Sequence, residues 1–213
     1  MSARDLFRAA YENRYTWDQN FPGYSGDVQL KQGDEVYTGK VRINRDLSVE
    51  VTGIEDEQVQ ESIYTQLRDV VTHRKRSAFD HSHGKNQFSL GETNQTGAVE
   101  ILVKGDAMGS NYKIRGTEIC QVSRVMGRMA FVIDTYDSLN TGSGYLATRY
   151  DVVFRNPQTN EISQVSKFED TYEKVGDYYV LIKQVVYAAP QNSNFTKTEF
   201  NFSNAQLLEP AVV

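Results

Sequence analysis

Apolar residues recur along this chain with two different periods, and the change from one to the other divides it into elements. Leu6, Phe7, Ala10, Tyr11 and Tyr15 fall at helical spacing behind Ser2, which has Asp5 three residues on in the capping-box position. This predicts an N-terminal helix over about 3–16. From Tyr24 the period becomes two: Tyr24, Gly26, Val28 and Leu30, then Tyr37, Gly39, Val41 and Ile43, then Leu47, Val49 and Val51, with turn residues between them. Three antiparallel strands are expected within 24–53. Val59, Ile63, Leu67, Val70 and Val71 return to helical spacing between an acidic start (Glu55, Asp56, Glu57) and a basic end (His73 to Arg76). The second helix is placed at about 56–73.

Beyond a polar stretch, Ser77 to Lys85, the pattern is strand-like from about 86 to 207 and predicts an antiparallel meander. Thr148, Tyr150, Val152 and Phe154 point one way while Arg149, Asp151 and Arg155 point the other, so that strand has a dry face and a wet one. Tyr178 to Tyr187 is apolar on both faces and belongs in the middle of a sheet. Ten strands at about 4.8 Å spacing span roughly 48 Å, and a helix with its side chains is about 10–12 Å wide. Two helices leave much of such a sheet uncovered. The expected fold class is α+β, mostly β: a single large curved antiparallel sheet, half-barrel or open barrel, with an N-terminal helix and a second helix covering part of it. No linker, repeat or low-complexity tract interrupts the chain, so 1–213 is read as a single domain.

With 213 residues, 39% hydrophobic and 24% charged, the composition is that of a folded globular chain. The net charge of −5 argues against a nucleic-acid partner, which needs a basic surface. Arg4, Asp5, Arg8, Glu12 and Arg14 leave no room for the apolar core of an export signal, and the longest apolar runs, such as Met129 to Ile133, are five residues. The expectation is a cytoplasmic protein with no transmembrane segment, whose sequons at Asn94, Asn194 and Asn201 go unmodified. A lone cysteine, Cys120, excludes a disulfide framework and is read as a structural thiol.

Gly142 to Ala147 spells the dinucleotide fingerprint G-x-G-x-x-A, which works only where a helix begins. Strand-like alternation follows it, so it reads as a hairpin turn. Asp80, His81 and His83 have metal-ligand spacing on an extended segment, but no third fixed ligand is identifiable, and a solvated loop is the expected state. Asp134, Asp137, Glu169 and Asp170 read as surface charges near strand ends. No catalytic residue, cofactor or metal is assigned. The aromatic rings Trp17, Phe21 and Tyr24 flank a Pro22-Gly23 turn. They are expected either to plug the core or to rim a cavity, and are the candidate ligand-binding residues.

The segments LFRAAYENRYTWDQNFPGYSGDV and DTYEKVGDYYVLIKQVVY resemble an uncharacterised family of cyanobacterial and plastid proteins with a domain of unknown function, over nearly the whole chain. That resemblance implies no activity, cofactor or catalytic residue. The element order, with YEKVGDYYVLIKQVVY followed by TKTEFNFSNAQLL, is also similar to the half-barrels of the lipoprotein-carrier and lipoprotein-receptor superfamily. This second likeness implies a concave face that holds an acyl chain, although the export signal and lipidated cysteine of that superfamily are not found in these residues. The expected function is non-enzymatic binding of a hydrophobic or amphipathic small molecule: an acyl chain, isoprenoid or tetrapyrrole. The alternatives are a protein-protein interaction or assembly factor without a small ligand, and an enzyme with an Asp/Tyr/Arg site in the cavity.

Overall fold

The structure, a computed structural model, describes residues 1–105 and 110–209. Its elements are helices α1 (Ala3–Glu12), α2 (Glu57–Arg74) and α3 (Phe79–His83). The strands are β1 (Tyr24–Gln32), β2 (Glu35–Ile43), β3 (Val49–Thr52), β4 (Gln87–Thr93), β5 (Val99–Lys104), β6 (Ser110–Arg115), β7 (Glu118–Met126), β8 (Met129–Asn140), β9 (Tyr145–Arg155), β10 (Ile162–Val175), β11 (Tyr178–Pro190) and β12 (Thr196–Leu207). All twelve strands join one antiparallel sheet in the order β3-β2-β1-β12-β11-β10-β9-β8-β7-β6-β5-β4, with β3 and β4 as its two open edges. The mostly-β class and the single large antiparallel sheet stand as expected. The strand β11, apolar on both faces, lies inside the order. No helix among the described residues is long and apolar enough to cross a membrane.

Three stretches of chain make each of two compact units: 1–15, 77–168 and 187–196 form the first; 16–76, 169–186 and 197–213 form the second. In the first unit, α1 is opened by the capping box read from the sequence. The Ser2 hydroxyl accepts from the Asp5 N–H at 3.1 Å, and the Asp5 carboxylate accepts from the Ser2 N–H at 3.3 Å. Ser2→Ala removes a cap worth about 1 kcal/mol and should lower the thermal midpoint by about 2–4 °C, read by circular dichroism. The buried stripe of α1, with Phe7, Ala10 and Tyr11, packs on Phe79 of α3 and on Ile101, Val103, Tyr112 and Ile114 of the sheet.

Two local expectations are corrected here. The first helix stops at Glu12, not near 16. Tyr15 keeps its helical spacing from Tyr11, but its N–H donates to the Tyr145 carbonyl at 2.9 Å, which pulls the chain onto the start of β9. Gly144 makes that approach possible. Its φ is +143°, and a Cβ there would stand 2.7 Å from the Tyr15 nitrogen and 2.8 Å from the Asn13 oxygen. The second correction is α3 itself, a helical turn inside the stretch expected to be a polar loop.

In the second unit, Asp56 caps α2 by accepting from the N–H groups of Gln58 (2.9 Å) and Val59 (3.1 Å). The face of α2 formed by Val59, Ile63, Leu67, Val70 and Val71 is buried, as its spacing predicts, and the helix packs on β3. The sheet supplies Val28, Leu30, Val41, Ile43, Phe200 and Phe202 to the same unit's buried apolar set.

Candidate functional site

Directly opposed residues on neighbouring strands share a face. In the first unit, Val122 of β7 packs against the α1 core; it lies opposite Ile133 of β8, which lies opposite Val152 of β9. One step along, Arg124 lies opposite Phe131, which lies opposite Phe154. Tyr150, two residues before Val152, shares the face again, and its ring stacks on Phe168 of β10 at 4.7 Å and 8°. Helix α1 rests over β4, β6 and β7. The strip Phe131, Ile133, Tyr150, Val152, Phe154 and Phe168 therefore continues the apolar face past the helix. Val152 is buried and the other five are only partly so.

The border of this strip nearest α1 is cationic. The Arg124 Nη2 donates to the Tyr112 hydroxyl at 3.1 Å, while its Nε is buried and has no hydrogen-bond partner. Arg14 donates from Nε to the Tyr11 carbonyl at 3.0 Å and lies over the Tyr11 ring at 3.9 Å. Among the described residues neither guanidinium has a carboxylate within ion-pair distance, in contrast to Arg4, Arg8 and Arg149. Burial, with Arg14 and Arg124 adding positive charge nearby, pushes the His83 imidazole down to about 4. Asn86 donates to its Nδ1 at 3.1 Å, which leaves the ring proton on Nε2.

His83 thus resists protonation in the fold more than in the unfolded chain. As pH falls from 6.5 towards about 4, the unfolded state binds the extra proton first, so stability is intact above this window and declines through it. The slope reaches at most about 1.4 kcal/mol per pH unit. His83→Gln should flatten it in denaturant titrations across the window.

The other sequence candidates fall elsewhere. Trp17, Phe21 and Tyr24 belong to the second unit and are 3%, 2% and 1% exposed. The indole of Trp17 stacks on Phe21 at 4.1 Å and its Nε1 donates to the Tyr179 carbonyl at 3.1 Å. Burial raises the Tyr24 phenol well above its ordinary range, and its oxygen has no partner. Two open hollows in that unit are lined by other residues. One, of about 780 Å³, is bordered by Val51, Gln60, Tyr64, Glu57 and Glu61; the other, of about 630 Å³, by Pro22, Arg42, Arg45 and Leu208.

His81 and His83 do not point to one side as an extended segment would place them. Residues two apart on a helix diverge, and in α3 His81 is exposed while His83 is buried. No group of three metal-ligating side chains occurs among the described residues. At Gly142 to Ala147 no helix begins; Tyr145 starts β9. The Cys120 thiol is partly buried, its Sγ lies 3.4 Å from the Lys113 carbonyl, and burial pushes it up.

Asp170 is not a surface charge. It shares the inward register of an interior strand, accepts from the Tyr172 hydroxyl at 3.1 Å and from Gln184 Nε2 at 2.9 Å, and is buried. Arg74 donates to the Tyr172 hydroxyl at 3.0 Å. Burial raises Tyr172 well above its usual range. An Asp/Tyr/Arg constellation therefore exists in the second unit, with its hydrogen-bonding groups engaged by one another.

In comparison with known families, the model of DUF3386, described as a protein of unknown function, matches residues 1–208. A search of curated proteins finds no match. Among solved structures, a DUF1329 family protein from Desulfovibrio piger is 11% identical, with 99% of this chain and 93% of that one covered and a TM-score of 0.34. A LolA superfamily protein from Nitrosomonas europaea is 9% identical, with 98% and 94% covered and a TM-score of 0.36. The Pseudomonas aeruginosa MucA/MucB complex is 11% identical, with 94% and 93% covered and a TM-score of 0.24. Superpositions this loose fix neither fold nor function.

Proposed function

We propose that this chain, which belongs to the DUF3386 family, binds a hydrophobic or amphipathic small molecule on the helix-bearing face of its first unit and performs no chemistry on it. The observation that carries this reading is the apolar strip left beside α1 on β8, β9 and β10. A soluble fold leaves such a surface part-exposed at a cost, and a ligand tail that covers it gains about 0.8 kcal/mol per buried methylene. This moves the ligand contact away from Trp17, Phe21 and Tyr24, whose rings pack on one another.

Native mass spectrometry of the protein made in its own host, with and without solvent extraction, tests the reading. A mass excess that extraction removes is expected; a clean mass of the chain alone from that source overturns it. A second reading, a protein partner, draws on a separate feature. At the β7–β8 hairpin tip Val125, Met126 and Met129 are 48%, 58% and 43% exposed. It is favoured if a stable partner co-purifies and Met126→Ser releases it.

A further inference from the structure

Resting on that reading, we propose that the ligand is a single-chain amphiphile with a carboxylate head, a fatty acid, and that Arg124 holds the head where the apolar strip begins. Arg124 lies on the strip's own face, opposite Phe131 in the register. Phe131 and Phe154, whose ring centroids are 6.2 Å apart, follow it along the β7-β8-β9 direction. The guanidinium meets the α1 core on one side through Tyr112 and keeps a buried N–H with no acceptor.

Burying a donor without a partner is costly, and a charged one more so. The Arg155 Nε is buried without a partner too, but Arg155 lies opposite Ala130, on the face of β9 that alternates with Phe154, so of these two groups only Arg124 adjoins the strip. At Arg124 no side-chain carboxylate lies within ion-pair distance, and Arg14, which has none either, adds charge of the same sign near His83. A planar carboxylate matches the fork of a guanidinium and forms charge-assisted bonds with it. The strip takes two side chains from β8, three from β9 and one from β10, and successive side chains on one face of a strand stand about 7 Å apart. That is a track for one tail.

Titration calorimetry with palmitate and with hexadecanol, on the full chain and on Arg124→Gln, tests the assignment. The parent protein is expected to bind palmitate on the order of 10- to 100-fold more tightly than hexadecanol. Arg124→Gln should remove that preference, with palmitate affinity falling far more than hexadecanol affinity, and retained hexadecanol binding also shows that the variant is folded. Arg124→Lys should keep part of the preference. Equal affinity for both probes in the parent overturns the head assignment and leaves the apolar reading standing, as does an Arg124→Gln variant that still prefers palmitate or weakens both probes alike. A parent that favours dipalmitoyl phosphatidate over palmitate also overturns it. Failure of the parent to bind either probe overturns both readings.

Discussion

Phe7→Ala lowers the thermal midpoint by about 6–20 °C, the shift expected for a loss of about 3–5 kcal/mol in a chain of this size. The ring of Phe7 is fully buried and meets Tyr112 at 4.6 Å, His83 at 5.0 Å, Phe88 at 5.2 Å, Phe79 at 6.1 Å and Tyr11 at 6.2 Å between centroids. Those partners come from α1, α3, β4 and β6 of the first unit. Truncation therefore leaves a hole bordered by rings from four elements, none of which can close it alone. The neighbouring Arg8 is half exposed and makes an i,i+4 pair with Glu12 at 2.8 Å. Arg8→Ala should change stability by less than about 1 kcal/mol. Thermal melts of the two variants beside the parent check both numbers; a shift no larger for Phe7→Ala than for Arg8→Ala would contradict the packing described.

Ile133→Glu weakens binding of an alkyl probe on the order of 100-fold, through the loss of apolar contact and the cost of setting a carboxylate under the tail. Val132→Glu, one residue away, leaves binding unchanged. Both positions are partly buried in β8, yet Ile133 lies opposite Val122 and Val152 on the α1 face, while Val132 lies opposite Ser123 and Val153 on the other. The period-two alternation of a strand separates them completely. Titration of dodecanol into both variants reads the difference. Equal losses would place the ligand elsewhere or show a general loss of structure.

Half of the strip is visible in the amino-acid order itself, because Tyr150, Val152 and Phe154 alternate with Arg149, Asp151 and Arg155. Its continuation through Phe131, Ile133 and Phe168 is not, since only the pairing register tells which face of β8 and β10 adjoins that of β9. Arg124 shows the same limit. In the run Ser123-Arg124-Val125-Met126 it reads as an ordinary surface charge, and its unpaired N–H is a product of tertiary packing. Asp170 reads as a surface charge for the corresponding reason: a carboxylate in an alternating segment is placed by its strand's position in the sheet, which local pattern does not report. Tyr15 shows the converse error, a helical spacing preserved by a residue that the backbone of Tyr145 draws out of the helix. The two long helices and the interior strand β11 were legible because caps, dipole charges and apolar runs are local signals.

Binding on the first unit requires a tail to lie along the strip, and photo-crosslinking with a diazirine-bearing fatty acid followed by peptide mapping locates it. Adducts within 131–133, 150–154 and at Phe168 are the predicted result. Adducts confined to the second unit, or to the hairpin tip around Met126, would contradict it.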